Sequence, residues 1–403
     1  MSKIACLLLT LYLAVAIIAA EEVRELNWDQ SGCFRLTETS GDIYEKDNTQ
    51  KVVYVKKPQF TPPYYYEATV QEFFPTQRYT QAGLIFWRDA DNYVRNTIGF
   101  ITHCVEGLAE WNGKAQSRGI SPFYPNPYPE KARLRIEVGE RTVRTLASVE
   151  PERWILTGGW TLPQDQATSS FANGIGVIGL NGVDEKPLFC DWTEGLLGEY
   201  EDDDFGGDSL KKCWMVGMTN CGWGKYEIYQ KKGNLYIAPY AGSDIFIGKE
   251  NYPFVSMPAP KGEQWEIEVK MNFDPARAIG RWNKAGVVLA QSNKRFIAIY
   301  ALADDMREDI FIEGINTDFM GTVSVDAFAP KKKTDIYFRL RKKEANKFWV
   351  SASYDGRQWS QIGDYNCPMP EPQIRLFASG DVLNQYPKKF KFQAVFDYVK
   401  KIE

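Results

Sequence analysis

Gln81-Ala82-Gly83-Leu84-Ile85-Phe86-Trp87, followed by Asp91-Asn92-Tyr93-Val94, returns later in the chain. Its echo is Lys284-Ala285-Gly286-Val287-Val288-Leu289-Ala290, followed by Lys294-Arg295-Phe296-Ile297. Ala82 to Ala285 and Tyr93 to Phe296 are the same step of 203 residues, with no gap between them. The echo extends outward. Leu134-Arg135-Ile136 answers Phe338-Arg339-Leu340, the run from Ser148 to Trp154 answers that from Ser353 to Trp359, and Cys190-Asp191-Trp192 answers Phe396-Asp397-Tyr398. A duplication of this length predicts two copies of one domain.

The repeated unit reads as β-structure. Apolar and polar residues alternate in short runs broken by Gly, Pro, Asn and Asp, the spacing of an all-β sandwich. Trp265, Ile267, Val269 and Met271 share one face, against Glu266, Glu268 and Lys270 on the other. Tyr66, Ala68 and Val70 against Glu67, Thr69 and Gln71 are the counterpart, which aligns Glu266 with Glu67. Between Phe348 and Trp359, Asp355-Gly356 reads as a two-residue hairpin turn. That turn would pair Ala352 with Trp359 and set Trp359 on the core face beside Val350, with Trp154 placed likewise. Glu150-Pro151 stands where repeat 2 has Asp355-Gly356, and proline's fixed φ demands another turn type there.

Residues 1–20 read as a cleaved secretory leader: Lys3, an apolar run, then Ala19 and Ala20 before Glu21. No later stretch approaches the ~20 apolar residues of a membrane span. The expected division is β-sandwich domain 1 over 21–198, an acidic linker over 199–209 and β-sandwich domain 2 over 210–403. Asp202-Asp203-Asp204 and Gly206-Gly207-Asp208 read as a solvated linker without apolar anchors. Calcium there is a possible cofactor, against the lack of alternate-residue ligand spacing. Losing Lys3 moves the net charge from −4 to −5, and mixed signs on an acidic chain argue against nucleic acid and anionic membrane as partners. Six cysteines remain beyond the leader, allowing up to three disulfides, with Cys33–Cys190 the favoured pair. With no CxxC pair and a single histidine, His103, no metal site is expected.

These motifs together resemble the concanavalin A-like lectin/glucanase superfamily, closest to the C-terminal β-sandwich domains of β-xylosidases and related extracellular proteins. The resemblance rests on the Ala-Gly-apolar strand, Ser353-Tyr354-Asp355-Gly356 leading to Trp359, Ile374-Arg375-Leu376-Phe377-Ala378 and the closing Phe396-Asp397-Tyr398. It covers nearly all of the chain beyond the leader, repeat 2 more closely than repeat 1. It implies two curved antiparallel sheets per domain in jelly-roll fashion, in members that bind or process glycans or accompany a catalytic domain. No catalytic pair carries over.

Three functional classes follow. The first is a secreted, non-catalytic glycan-binding or adhesion protein, whose partners are glycans or extracellular proteins. Outward or loop aromatics are then the candidate ligand-binding residues: Trp349, set between Phe348 and Val350; Trp111, in Glu110-Trp111-Asn112-Gly113; and Tyr124 and Tyr128 among prolines. The second is a structural or interaction protein of an extracellular assembly. The third is a glycoside hydrolase, for which Glu266 and Glu268, two apart on one strand face at ~6–7 Å, are the only suggestive pair. No catalytic residue is assigned.

Overall fold

The computed structural model describes residues 22–402 except 46–48, 50–51, 76, 101–103, 117–118, 123–129, 151–152, 172–173, 183–185, 220–225, 241, 247–248, 276–281, 304–308, 318–320, 331, 333 and 381–391. The leader, His103, Tyr124, Tyr128 and Cys221 lie outside the described residues. Among those described the chain is all-β, with one short 3-10 turn at Thr168–Phe171. No helix is long and apolar enough to cross a membrane.

Three large sheets carry the structure. A thirteen-stranded sheet runs from Cys33–Arg35 through Tyr64–Gln71, Lys131–Val138, Thr142–Glu150 and Arg153–Thr161, then on through Met215–Met218, Pro253–Pro258 and Gln373–Ser379 to Asn283–Ala290 and beyond. An eight-stranded sheet containing Gln81–Asp89, Asn92–Phe100 and Cys104–Trp111 packs on its first half. A seven-stranded sheet containing Trp265–Phe273, Thr334–Glu344, Lys347–Ser353 and Ser360–Asn366 packs on its second half. Inward residues of each pair form one apolar core, with Leu84, Phe86, Ala68 and Leu134 in the first and Val287, Leu289, Val269 and Phe338 in the second. The halves of the long sheet meet where Trp154 and Ile155 pair in parallel with Gly217 and Met218.

The duplicated motif falls on different sheets in its two copies. Gln81–Asp89 belongs to the eight-stranded sheet, and Asn283–Ala290 to the thirteen-stranded one. Both keep the glycine for one reason. A Cβ at Gly83 would run into the Asn96 carbonyl, and one at Gly286 into the Ile299 carbonyl, each on the neighbouring strand.

Three expectations change. The hairpin after Lys347–Ser353 is wider than two residues. Asp355 Oδ1 accepts from the N–H groups of Arg357 and Gln358, Ser353 Oγ from that of Gly356, and Ala352 pairs with Ser360. A one-residue slip exchanges the faces of a strand, so Trp359 lies on the outer face and not in the core. Trp154 likewise turns away from the first core, which takes Ile155, and packs on Leu146 and Leu156. The acidic stretch after Glu199 is anchored rather than solvated: Phe205 is buried in the second core, and the buried Asp203 accepts from Trp214 Nε1 at 2.7 Å. Cys33–Cys190 forms a disulfide between adjacent strands, whereas Cys104 and Cys213 are free thiols.

The outer face of the eight-stranded sheet is buried too, beneath the segment that carries Ile43. Glu106, Leu108 and Glu110 alternate on that face, all fully covered. Glu110 Oε2 accepts from Tyr93 OH (3.0 Å) and Glu45 N (2.8 Å), while its buried Oε1 has no hydrogen-bond partner. Burial pushes the Glu110 pKa up against the pull of those donors and of Arg95. A carboxyl whose folded pKa exceeds its unfolded value weighs against folding once pH has risen through that interval. Glu110→Gln is therefore expected to raise the urea midpoint at neutral pH. The gain should vanish below about pH 4, where the acid is protonated in both states. An equal gain at both pH values would rule out ionisation as the cause.

Candidate functional site

Both repeats build the same three-residue arrangement on an outer sheet face. Arg135 lies between apolar Leu134 and Ile136, so strand alternation turns it away from the core. Its guanidinium stacks 4.3 Å from the Trp154 ring and donates from Nε to Glu67 at 2.7 Å. Arg339, between Phe338 and Leu340, stacks 3.8 Å from Trp359 and donates from Nε (2.9 Å) and Nη2 (2.8 Å) to Glu268. Cross-strand register pairs Arg135 with Glu67 and Arg339 with Glu268. Glu268, not Glu266, is thus the structural counterpart of Glu67.

In repeat 2 the arrangement opens into a hollow of about 220 Å³. Trp349 and Trp359 stand in its wall with Arg339, Arg341, Glu266 and Gln361. The two carboxylates have different surroundings. Glu268 is buried and receives Tyr398 OH at 2.7 Å, both Arg339 donors and the Lys400 ammonium at 3.1 Å. Burial works to raise its pKa, but these donors outweigh it and hold the group below the usual carboxylate range. Glu266 is partly open, and its nearest cations stand off at 3.5 Å (Arg339) and 3.6 Å (Arg341).

Trp349 lies on the outer face between buried Phe348 and Val350, with the Lys343 ammonium over its ring. Trp111 corrects the expected loop tip. It closes the strand Cys104–Trp111 before an Asn112-Gly113 turn whose φ values are 51° and 67°. It is only 6% exposed, with its ring edge on Phe171. Its parity with Val105 and Ala109, both core residues, was legible and puts it inward. Trp111 and Trp349 therefore share no site. Sequence reading passed over Arg339, Arg341, Trp359 and Gln361. The available signal was an arginine flanked by apolar residues in both repeats.

The carboxylates of the 199–208 stretch are taken up separately. Asp202 accepts from Lys401 N, Asp203 from Trp214 and Asp204 from Gly206 N. Among the described residues no group of three or more His, Cys, Asp or Glu is placed to hold a metal ion.

No protein-family model matches the chain, and no curated protein matches it. Solved structures similar to it include the GH43 BlXynB protein from Bacillus licheniformis, at 12% identity and a TM-score of 0.41, covering 87% of this chain and 85% of that one. The xylan β-1,4-xylosidase from Bacillus halodurans matches at 11% identity and 0.40, covering 91% and 88%. A functionally unknown protein from Saccharomyces cerevisiae matches at 10% and 0.36, covering 44% of this chain and 91% of its own. These findings correct the expected non-catalytic glycan-binding or adhesion role. The two Bacillus proteins named above are glycoside hydrolases and not lectins.

Proposed function

We propose that the protein is a carbohydrate-active protein of the glycoside hydrolase kind, with its saccharide subsite in the Trp349–Trp359 hollow. The observation that carries this reading is one partly open carboxylate, Glu266, set beside two tryptophans and two guanidinium groups at one opening, with the buried Glu268 holding Arg339 from behind. Glu266, open to the hollow, is the candidate proton donor to a leaving oxygen. Glu268 stays ionised and is a positioning residue: it fixes Arg339, which in turn lies over Trp359 and beside Glu266. Trp349 offers a ring face for a sugar to pack on.

The same proposal includes the chain's organisation. Residues 1–20 are a leader removed on export, and 21–198 and 210–403 are two concanavalin A-like sandwiches. The stretch between them is tethered through Phe205. A disulfide at Cys33–Cys190 is consistent with an oxidising, extracellular location.

The test is product release. Folded protein lacking residues 1–20 is incubated with a panel of neutral and acidic polysaccharides and aryl glycosides, and new reducing ends are counted. At least one substrate should be cleaved, with Trp349→Ala raising KM several-fold and sparing kcat. A folded protein that cleaves none of the panel sinks the hydrolase reading.

A further inference from the structure

A larger opening lies elsewhere, where the two halves of the long sheet join. This groove measures about 870 Å³, roughly fourfold the hollow in repeat 2. Its charged lining is Arg133, Arg135, Lys211 and Lys212 against Glu137 and Asp208, a surplus of two positive charges. The charges behind it balance: Asp203, 3.7 Å from Lys211, and Glu67 stand against Arg144 and Arg375. Arg133 and Arg135 share the single carboxylate of Glu67, and Arg144 lies on Glu137 at 3.2 Å. Buried Arg375 stands cross-strand from Ser256, itself part of the lining. This surplus sits in a chain whose net charge is −4.

Several donors in and around the groove are uncommitted. Ser256 is 1% exposed, yet its Oγ has no hydrogen-bond partner, and the buried Arg144 Nη1 has none either. Lys212 is exposed, with no carboxylate partner among the described residues. The aromatic faces, by contrast, are already used. Arg135 lies 4.3 Å from both the Tyr65 and Trp154 rings, so a ligand here meets guanidinium groups rather than open rings. Recognition must then run through charge and hydrogen bonds. Guanidinium forks favour carboxylate and sulfate oxygens.

We propose that this junction groove is a second binding site, specific for an acidic saccharide chain bearing carboxylate or sulfate groups. The anionic character rests on the groove alone. The choice of saccharide rests on the carbohydrate reading above. The groove would hold the charged stretch of a polysaccharide whose neutral part is processed at the hollow.

The experiment is calorimetric titration of the protein lacking residues 1–20 with three probes at low salt. They are a galacturonic acid hexamer, its fully methyl-esterified form and a hexaglutamate peptide. The acid hexamer should bind saturably, weaken with added salt as screening requires, and bind at least tenfold more weakly to R133Q/K212Q. Both positions are surface-exposed, and Arg135 remains on Glu67, so the variant should fold. Its cleavage of neutral substrates should be unchanged, which separates failure of the groove from failure of the hollow. Absence of binding by all three probes overturns the proposal. So does an unchanged affinity in R133Q/K212Q, or equal binding of the methyl ester. Tighter binding of hexaglutamate than of the sugar acid overturns the saccharide assignment.

Discussion

Replacing Glu266 by glutamine is expected to reduce kcat on any cleaved substrate by about 10²–10⁴-fold, the usual contribution of a positioned acid or base. The amide keeps the shape and cannot give up a proton at a useful pH. KM should change little, because the Trp349 ring and the guanidinium groups of the hollow are untouched. Stability should change little as well. The Glu266 contacts to Arg339 and Arg341 are long, 3.5 and 3.6 Å, and its side chain is 21% exposed. Ion pairs of this kind contribute about 0–1 kcal/mol. Glu268→Gln is the instructive contrast. It weakens three charge-assisted contacts around a buried group, so the unfolding midpoint and the activity should fall together. A Glu266→Gln enzyme within threefold of the parent rate would remove Glu266 as the proton donor and leave the hollow as a positioning site only.

How much of this could be read from the chain depends on the periodicity of each segment. The all-β class and the inward set Ile267, Val269 and Met271 follow from strict alternation, because a period of two leaves one choice of face once one residue is known. Cys33–Cys190 was reachable because the first and last strands of a folded repeat become neighbours. Turn width was not. Ser353 and Asp355 cap several backbone N–H groups at once, a local competition that Asp-Gly alone does not reveal, and the extra residue carried Trp359 to the opposite face. Phe205 escaped notice because two aromatics, Tyr200 and Phe205, among six acidic residues look like a linker until a core is there to receive them. The groove was beyond reach for a different reason. It depends on Lys211 and Lys212 meeting Arg133 and Arg135, and that meeting is set by a parallel pairing of two residues at the join of the repeats.

Arg95→Met is expected to lower the unfolding free energy by about 3–5 kcal/mol, the usual result of removing one member of a buried ion pair. Arg95 is 1% exposed and Glu106 fully buried. Arg95 Nη2 donates to Glu106 at 3.1 Å, and Nη1 reaches the Ile43 carbonyl at 3.1 Å and Asp42 at 3.3 Å. Methionine fills a similar volume but takes the Arg95 guanidinium away from the Glu106 carboxylate in a low-dielectric site. It also releases the segment that covers the outer face of the eight-stranded sheet, since Ile43 and Asp42 lose the same side chain. Arg95→Met/Glu106→Leu should recover most of the loss, because two apolar residues of matching size replace two desolvated charges. Urea unfolding of the two single variants and the double variant closes the cycle. A double variant no more stable than Arg95→Met alone would mean that the arginine acts through Ile43 and Asp42, pinning the covering segment, and not through Glu106. A loss below about 1 kcal/mol in Arg95→Met would place the group at the level of a surface pair and contradict its burial.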